Sequence, residues 1–433
     1  MSPGPGRRAL VAGAGLSGLL AAWHLRRAGW AVEVWEAGDA VGGWARTLPW
    51  PGPGGEPGWL ERGPQALRLA RGGALEAVTR ELGLALRRPG PRGPRWLGAG
   101  GRRHPSPATL AGLLRAPGLT FAQRLRLLAE PFIPAAPGPE DLRAWATRRL
   151  GPGFAEAWLP ALVAGVLAAP PECLGREGLP RLEALEARGG LLRGGLRIPE
   201  AIRIPAGPGL PGVGALAEAL AAALGGVRTG LALEALAREP GGRWRARSGP
   251  EERTVDRLVL ALPPAPAAAL LGQVAPAAAA ALAGLPMLDL RVWHTRHPRV
   301  PAWDRGPGLL VDPIQARGLL GVVGLPAADP RGVPGLLQLR TYTGGAFPQD
   351  PALATAEGTL AALGAWLPEL GPPVQVRGEV CPGAFPLLGP GHRARVEALA
   401  AGLPPGLEWL GAARFGAGVD ALAEGVAAWG GAG

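Results

Sequence analysis

Two hydrophobic rhythms alternate along this chain. Near the N-terminus Arg8-Ala9-Leu10-Val11-Ala12 is a short, largely apolar run that reads as a strand. Leu19, Leu20, Ala22, Trp23 and Leu25 then recur at helical spacing, and Val32-Glu33-Val34-Trp35 reads as a second strand. The spacing predicts a helix over 74–87 and a glycine-turned hairpin from Arg95 to Pro105. Residues 106–165 read as helix-rich, cut by Pro117, by Pro131 to Pro139 and by Pro152. An Ala-rich helix follows at 212–224, and alternating strands at 227–262 return the chain to its first unit. Strand-like runs over 285–346 suggest a separate antiparallel sheet. The end repeats the beginning: strand 407–411, Gly-rich turn 412–419, helix 420–429.

The first turn carries the chemistry. Gly13-Ala14-Gly15-Leu16-Ser17-Gly18 links a strand to a helix. Gly13 permits the tight turn, Gly15 lets backbone approach a pyrophosphate, and Gly18 lets helix pack on strand. The helix start offers free N–H groups and partial positive charge. Glu36, 18 residues past Gly18, suits a ribose diol, with Ala37 beside it. A bare glycine pattern means little in a chain with 71 glycines; the strand–helix–strand–acid context gives it weight. Gly42-Gly43-Trp44 allows backbone to lie along a cofactor, and Arg46 suits a phosphate. Two strand–turn–helix units, one at each end, fit a two-part cofactor. One helix start would meet the pyrophosphate, and the other the pyrimidine end of a flavin.

Composition narrows the picture. With 47% hydrophobic and 18% charged residues, 433 residues suit a globular chain of two or three domains. All 45 basic residues are Arg, so no Schiff-base amine is available. The net charge of +11 is spread along the chain, which argues against nucleic acid and suits an anionic substrate or lipid. Cys173 and Cys381 stand far apart, pointing to a reducing cytoplasm and no disulfide framework. The five His form no ligand motif; His294 and His297 read as flanking a strand end, and no metal is expected. The N-terminal arm has no apolar core of a signal peptide, and no run is long enough to span a membrane. Leu125, Leu127, Leu128, Phe132 and Ile133 form an apolar patch that reads as core, or as membrane-surface contact.

Gly13–Gly18, Glu36, Gly42-Gly43-Trp44 and Glu61-Arg62-Gly63-Pro64 together resemble the FAD-binding pattern of the protoporphyrinogen oxidase and amine oxidase superfamily. Further segments resemble the protoporphyrinogen/coproporphyrinogen oxidase family within it. These are Arg95 to Pro107, Arg148-Arg149-Leu150-Gly151, Ala164 to Ala168, Leu387 to Glu397 with Gly391-His392, and Gly411 to Val419. The chain departs from the family at Asp420-Ala421-Leu422, at Arg62 and at Tyr342. The resemblance implies FAD held by Gly13, Ala14, Gly15, Leu16, Ser17, Gly18, Glu36, Ala37, Gly42, Gly43, Trp44, Arg46, Gly63, Pro64, Gln65, Ala66, Leu233, Ala417, Gly418 and Val419. It implies substrate contacts at Arg95, a carboxylate clamp, and at Tyr342.

The fold so implied is α/β (α+β): a Rossmann-like FAD-binding domain interleaved with an antiparallel-sheet substrate domain and a helical membrane-associated insertion. FAD-binding parts fall at 1–87, 206–279 and 371–433, the sheet at 88–108 and 280–370, and the insertion at 109–205. The activity implied is oxygen-dependent oxidation of protoporphyrinogen IX to protoporphyrin IX, or of coproporphyrinogen III, in haem biosynthesis. A bridge hydride would pass to flavin, and oxygen would be reduced to hydrogen peroxide, with no catalytic acid or base needed. The hairpin at Arg95 and the tail favour protoporphyrinogen. Partners so allowed are a ferrochelatase receiving the product, a homodimer, and peripheral contact with the inner face of the cell membrane. Another flavin oxidase or desaturase of the superfamily, and a non-enzymatic flavoprotein, are the rival readings. The lack of Lys argues against an amine oxidase, and the intact glycines against a degenerate site.

Overall fold

A computed structural model describes residues 6–89, 93, 95–106, 112, 114–115, 117–190, 200–207 and 209–431. Its centre is a five-stranded parallel sheet in the order Val227–Arg228, Ala31–Trp35, Arg8–Ala12, Arg257–Leu260, Leu407–Trp409. Both ends of the chain therefore enter one sheet. On one face Leu19, Leu20 and Leu25 of the helix Leu16–Arg27 pack with Leu216 and Leu220 of the helix Gly214–Leu224 and Val426 of the helix Val419–Gly431. On the other face, Ala267, Leu271 and Leu282 of the helices Pro264–Leu271 and Pro276–Ala283 cover Leu10 and Leu258. Burial on both faces is why the central pair, residues 9–12 and 258–260, read as unbroken apolar runs.

The second body is a seven-stranded sheet. Its order is Gln375–Pro386, Met287–Pro298, Leu336–Gly344, Leu319–Gly324, Gly308–Val311, Arg95–Ala99, Arg102–Pro105. All neighbours are antiparallel except Gly308–Val311 and Arg95–Ala99, which run parallel. Leu309, Val322, Leu337 and Leu339 face the helix Ala356–Trp366 on its outer side. The helices Leu142–Leu150, Pro152–Ala157 and Leu159–Leu167 cover one end of its inner side, where Gly165 packs against Leu310 so closely that a Cβ there would strike that side chain.

Several expectations change. The helix from residue 74 stops at Glu81, because Gly83 takes φ +62°, and Ala85–Arg87 is a strand pairing with Glu200–Gly207. That strand also pairs with Leu67–Ala70, so an insertion ending at 205 ends inside it. The end at 279 likewise falls inside the helix Pro276–Ala283. Within 371–433, the expected third FAD-binding segment, Gln375–Pro386 is an edge strand of the large sheet. His294 and His297 lie within a strand rather than at its end, and three residues apart they face opposite sides. Both ring nitrogens of His297 are engaged, Nδ1 with Gly371 O at 2.7 Å and Nε2 with Thr295 Oγ1 at 2.9 Å. The apolar patch splits: Leu127 is buried, whereas Leu125, Leu128 and Phe132 are exposed together with Phe121. Among the described residues no helix is long and apolar enough to cross a membrane.

Candidate functional site

The glycine turn forms where the strand Arg8–Ala12 gives way to the first helix. Gly13 takes φ +102°, and a Cβ there would lie 2.5 Å from Ala261 O. A Cβ on Gly18 would run into the Gly13 carbonyl. Gly15 is different, since a Cβ there would meet nothing within 4 Å. The chain thus needs Gly13 and Gly18 for its own packing and keeps open space at Gly15. No side chain caps the first helix, no acid stands in its first turn, and His24, Arg26 and Arg27 fill its last. Its macrodipole and free N–H groups are available to an anion. The Glu36 carboxylate accepts from Ala14 N (2.7 Å) and Gly38 N (2.9 Å), which fixes it at the turn's rim. Leu231 N donates to Glu36 O at 2.8 Å and brings the Leu233 loop alongside. These features fit the pyrophosphate and ribose of a dinucleotide.

A second turn lies against the first. Gly42 N donates to Ala14 O at 2.8 Å, and a Cβ on Gly43 would sit 3.3 Å from Gly15 Cα. Arg46 is 3.8 Å from Asp39. Arg62 N donates to Arg46 O, and the Arg62 guanidinium lies 4.6 Å above the Trp44 indole. Gly63 must lack a side chain, because a Cβ would strike Trp44 O. The tail turn closes the site from the other end. Gly416 takes φ +106°, and His392 Nε2 engages Ala413 O at 2.5 Å. Within that turn Ala412–Phe415 is a short helix, and the tail helix starts at Val419 with Asp420 in its first turn.

The inner face of the large sheet meets these turns through buried polar groups. Arg340 donates from Nη1 to Gly63 O and from Nη2 to Arg62 O (2.6 Å). Arg331 donates to Gln65 O and Glu61 Oε1, both at 2.7 Å, and chelates Asp329. Glu61 also accepts from Val213 N and Thr47 Oγ1. Burial pushes its carboxyl up, against the pull of Arg331. A small polar cleft, no roomier than a water molecule needs, lies among Glu61, Gln65, His294, Arg331, Gln338 and Arg340. Burial, with Arg340, Arg377 and Arg296 adding repulsion, holds His294 down to about 3, so it is neutral. Burial raises Tyr342 as well, and pushes Cys381 up to about 11.

Tyr342 stands two residues beyond Arg340, whose guanidinium is 4.9 Å from its ring. Arg95 is not beside it. Register links Arg95 to Gly308, Gly308 to Val323 and Val323 to Arg340, so Arg95 is about 14 Å along the same face at normal strand spacing. It is exposed and donates to Gly306 O at 2.7 Å. Sequence reasoning missed Arg331, Arg340, Glu379 and His392. Only His392 had a signal, the Gly-His pair; Arg340 and Glu379 emerge from strand register, and Arg331 from the turn that pairs it with Glu61 and Asp329.

The profile of the family "flavin containing amine oxidoreductase" matches residues 16–391. Human protoporphyrinogen oxidase is 31% identical over 385 residues, covering 79% of this chain and 78% of that protein. Coproporphyrinogen III oxidase of Mycobacterium tuberculosis (strain ATCC 25618 / H37Rv) is 30% identical over 447 residues, covering 95% and 94%. A candidate protoporphyrinogen oxidase from Exiguobacterium sp. 255-15 superposes with a TM-score of 0.78 at 20% identity, over 98% of both chains. Cyclohexylamine oxidase from Brevibacterium oxydans gives 0.72 at 18%, over 99% and 98%. The chain therefore belongs to the flavin-containing amine oxidoreductases, as a flavin-dependent oxidoreductase whose cofactor is FAD.

Proposed function

We propose that this protein oxidises protoporphyrinogen IX to protoporphyrin IX, with dioxygen as acceptor and hydrogen peroxide as by-product. The observation that carries the reading is the meeting of two surfaces: a dinucleotide cradle, and a sheet that carries Arg340, Tyr342 and Arg95 on one face. The relative named protoporphyrinogen oxidase supports it. FAD, when bound, supplies a two-electron hydride acceptor that dioxygen can reoxidise. The chain's own residues position the macrocycle and exclude water. Tyr342 offers an aromatic flank, and the apolar Leu310 and Leu97 continue the same face. Arg95, leaving Gly306 O, would clamp a propionate at the far edge. A second reading is coproporphyrinogen III, favoured by the fuller coverage of the relatives with that name.

Purified holoenzyme mixed anaerobically with each porphyrinogen tests both. Bleaching of the flavin, then porphyrin fluorescence on admitting air, is the expected result, and the faster substrate decides between the readings. No bleaching with either rejects the proposal. Arg95→Ala is expected to raise KM about tenfold, as for a lost charged hydrogen bond, at unchanged flavin content; an unchanged KM removes Arg95 from the clamp.

A further inference from the structure

We propose that Glu379 is a specificity-determining residue of this site: its free carboxylate oxygen accepts hydrogen bonds from pyrrole N–H groups of the reduced macrocycle. The inference rests on the porphyrinogen reading above. Glu379 lies on the strand Gln375–Pro386, on the inner face of the large sheet. Register joins Tyr342 to Val292 and Val292 to Glu379, so the phenol and the carboxylate stand in one row about 10 Å apart, two strand spacings. Between them is only Val292, which is buried and apolar.

One oxygen of Glu379 is occupied. Oε1 takes the Arg62 Nε–H, and Arg62 lies over Trp44 within the paired FAD-binding turns. The ion pair therefore fixes the carboxylate at the junction of cofactor turns and substrate face. Oε2 is buried and has no hydrogen-bond partner among the described residues. A buried carboxylate oxygen without a donor is costly. A ligand that brings an N–H there gains a charge-assisted bond.

The chemistry of the macrocycle makes such an acceptor selective. In a porphyrinogen every ring nitrogen carries a hydrogen and donates. In the aromatic porphyrin half of the ring nitrogens have lost it and present lone pairs. A carboxylate that only accepts favours the first and repels part of the second. Glu379 thus holds substrate and helps to release product, whereas an amide, which also donates, would lose that preference.

Glu379→Gln keeps the shape and removes the charge. The expected result is a KM for porphyrinogen raised about tenfold, with porphyrin Kd, read by quenching of its fluorescence under anaerobic conditions, unchanged or tighter. Flavin content and melting temperature are recorded beside them. Glu379→Asp, a carboxylate drawn back by one methylene, should fall between wild type and Gln in the KM-to-Kd ratio. An unchanged ratio in both variants overturns the proposal and leaves Glu379 as the counter-ion of Arg62. Loss of flavin from both variants overturns it too, because the residue then serves the turn. Failure of the wild-type protein to bleach with any porphyrinogen is a separate result and rejects the function instead.

Discussion

The parallel sheet and the seven-stranded sheet face the same cleft with opposite materials. At the parallel sheet the surface offered to the ligand is backbone. Side chains are absent at Gly13, Gly15, Gly18, Gly42 and Gly43, and the groups on show are N–H and C=O. At the large sheet the surface is side chain, and its inner face buries Arg296, His294, Arg340 and Gln338. Arg296 alone makes four hydrogen bonds, to Trp50 O, Pro51 O, Gln338 and Gln375. A dinucleotide is a fixed ligand that backbone can cradle; a substrate must be told from its relatives, and that needs charged groups in set positions.

The contrast would break first at the joint between the halves. Arg331 is paired with Glu61 and Asp329 in a place where all three are buried. Arg331→Ala leaves two carboxylates without their cation, and the expected loss is about 3–5 kcal/mol. Thermal melting of the apoprotein would read it. A loss below 1 kcal/mol would mean that the two halves do not depend on this clasp.

Two glycines sharpen the claim that backbone makes the cradle. Gly18→Ala drives a methyl into the Gly13 carbonyl, so stability should fall by about 1–3 kcal/mol or more. Gly15→Ala meets no neighbour, and Gly15 holds an ordinary φ of −68°. Its apoprotein should melt within about 0.5 kcal/mol of wild type, yet bind FAD far more weakly, because the methyl enters the ligand's space. A Gly15→Ala protein with normal FAD affinity would refute the cradle; one that fails to fold would show Gly15 is needed for packing.

This difference also explains what could be read without coordinates. The cradle was legible because its signals are local: Gly13 to Glu36 is one strand–turn–helix–strand passage, and each glycine has its reason within it. The tail was legible as its repeat, and Arg95 to Pro105 as a hairpin. Arg340, Glu379 and Arg331 were not, because each gains its meaning from a residue far away in sequence: Arg340 from Gly63, Glu379 from Arg62, Arg331 from Glu61. In a chain with 45 arginines, nothing local marks those two as buried. The helix over 74–87 was overlong for a related reason: Ala85–Arg87 becomes a strand only because Glu200–Gly207 is there to pair with it.

The smallest effect at neutral pH tests the polar face most directly. His294 is buried opposite Arg340 and Arg377, and its Nε2 has no partner among the described residues. Its folded value of about 3 lies below its ordinary value of 6.5. The unfolded chain therefore takes up a proton that the folded one refuses, and stability must rise with pH between the two values. Above pH 6.5 the contribution is complete and flat. On acidification below it, stability should fall by about 1.4 kcal/mol per pH unit from this group alone. His294→Phe removes the titrating ring while keeping an aromatic body. Whatever its stability relative to wild type at pH 7.5, the variant should gain on wild type as the pH drops from 6.5 toward 4.5. Parallel melting curves for the two proteins across that range would show that His294 can be protonated in place. The inner face would then be wetter, and closer to the ligand-free surface of an ordinary antiparallel sheet, than its buried arginines imply.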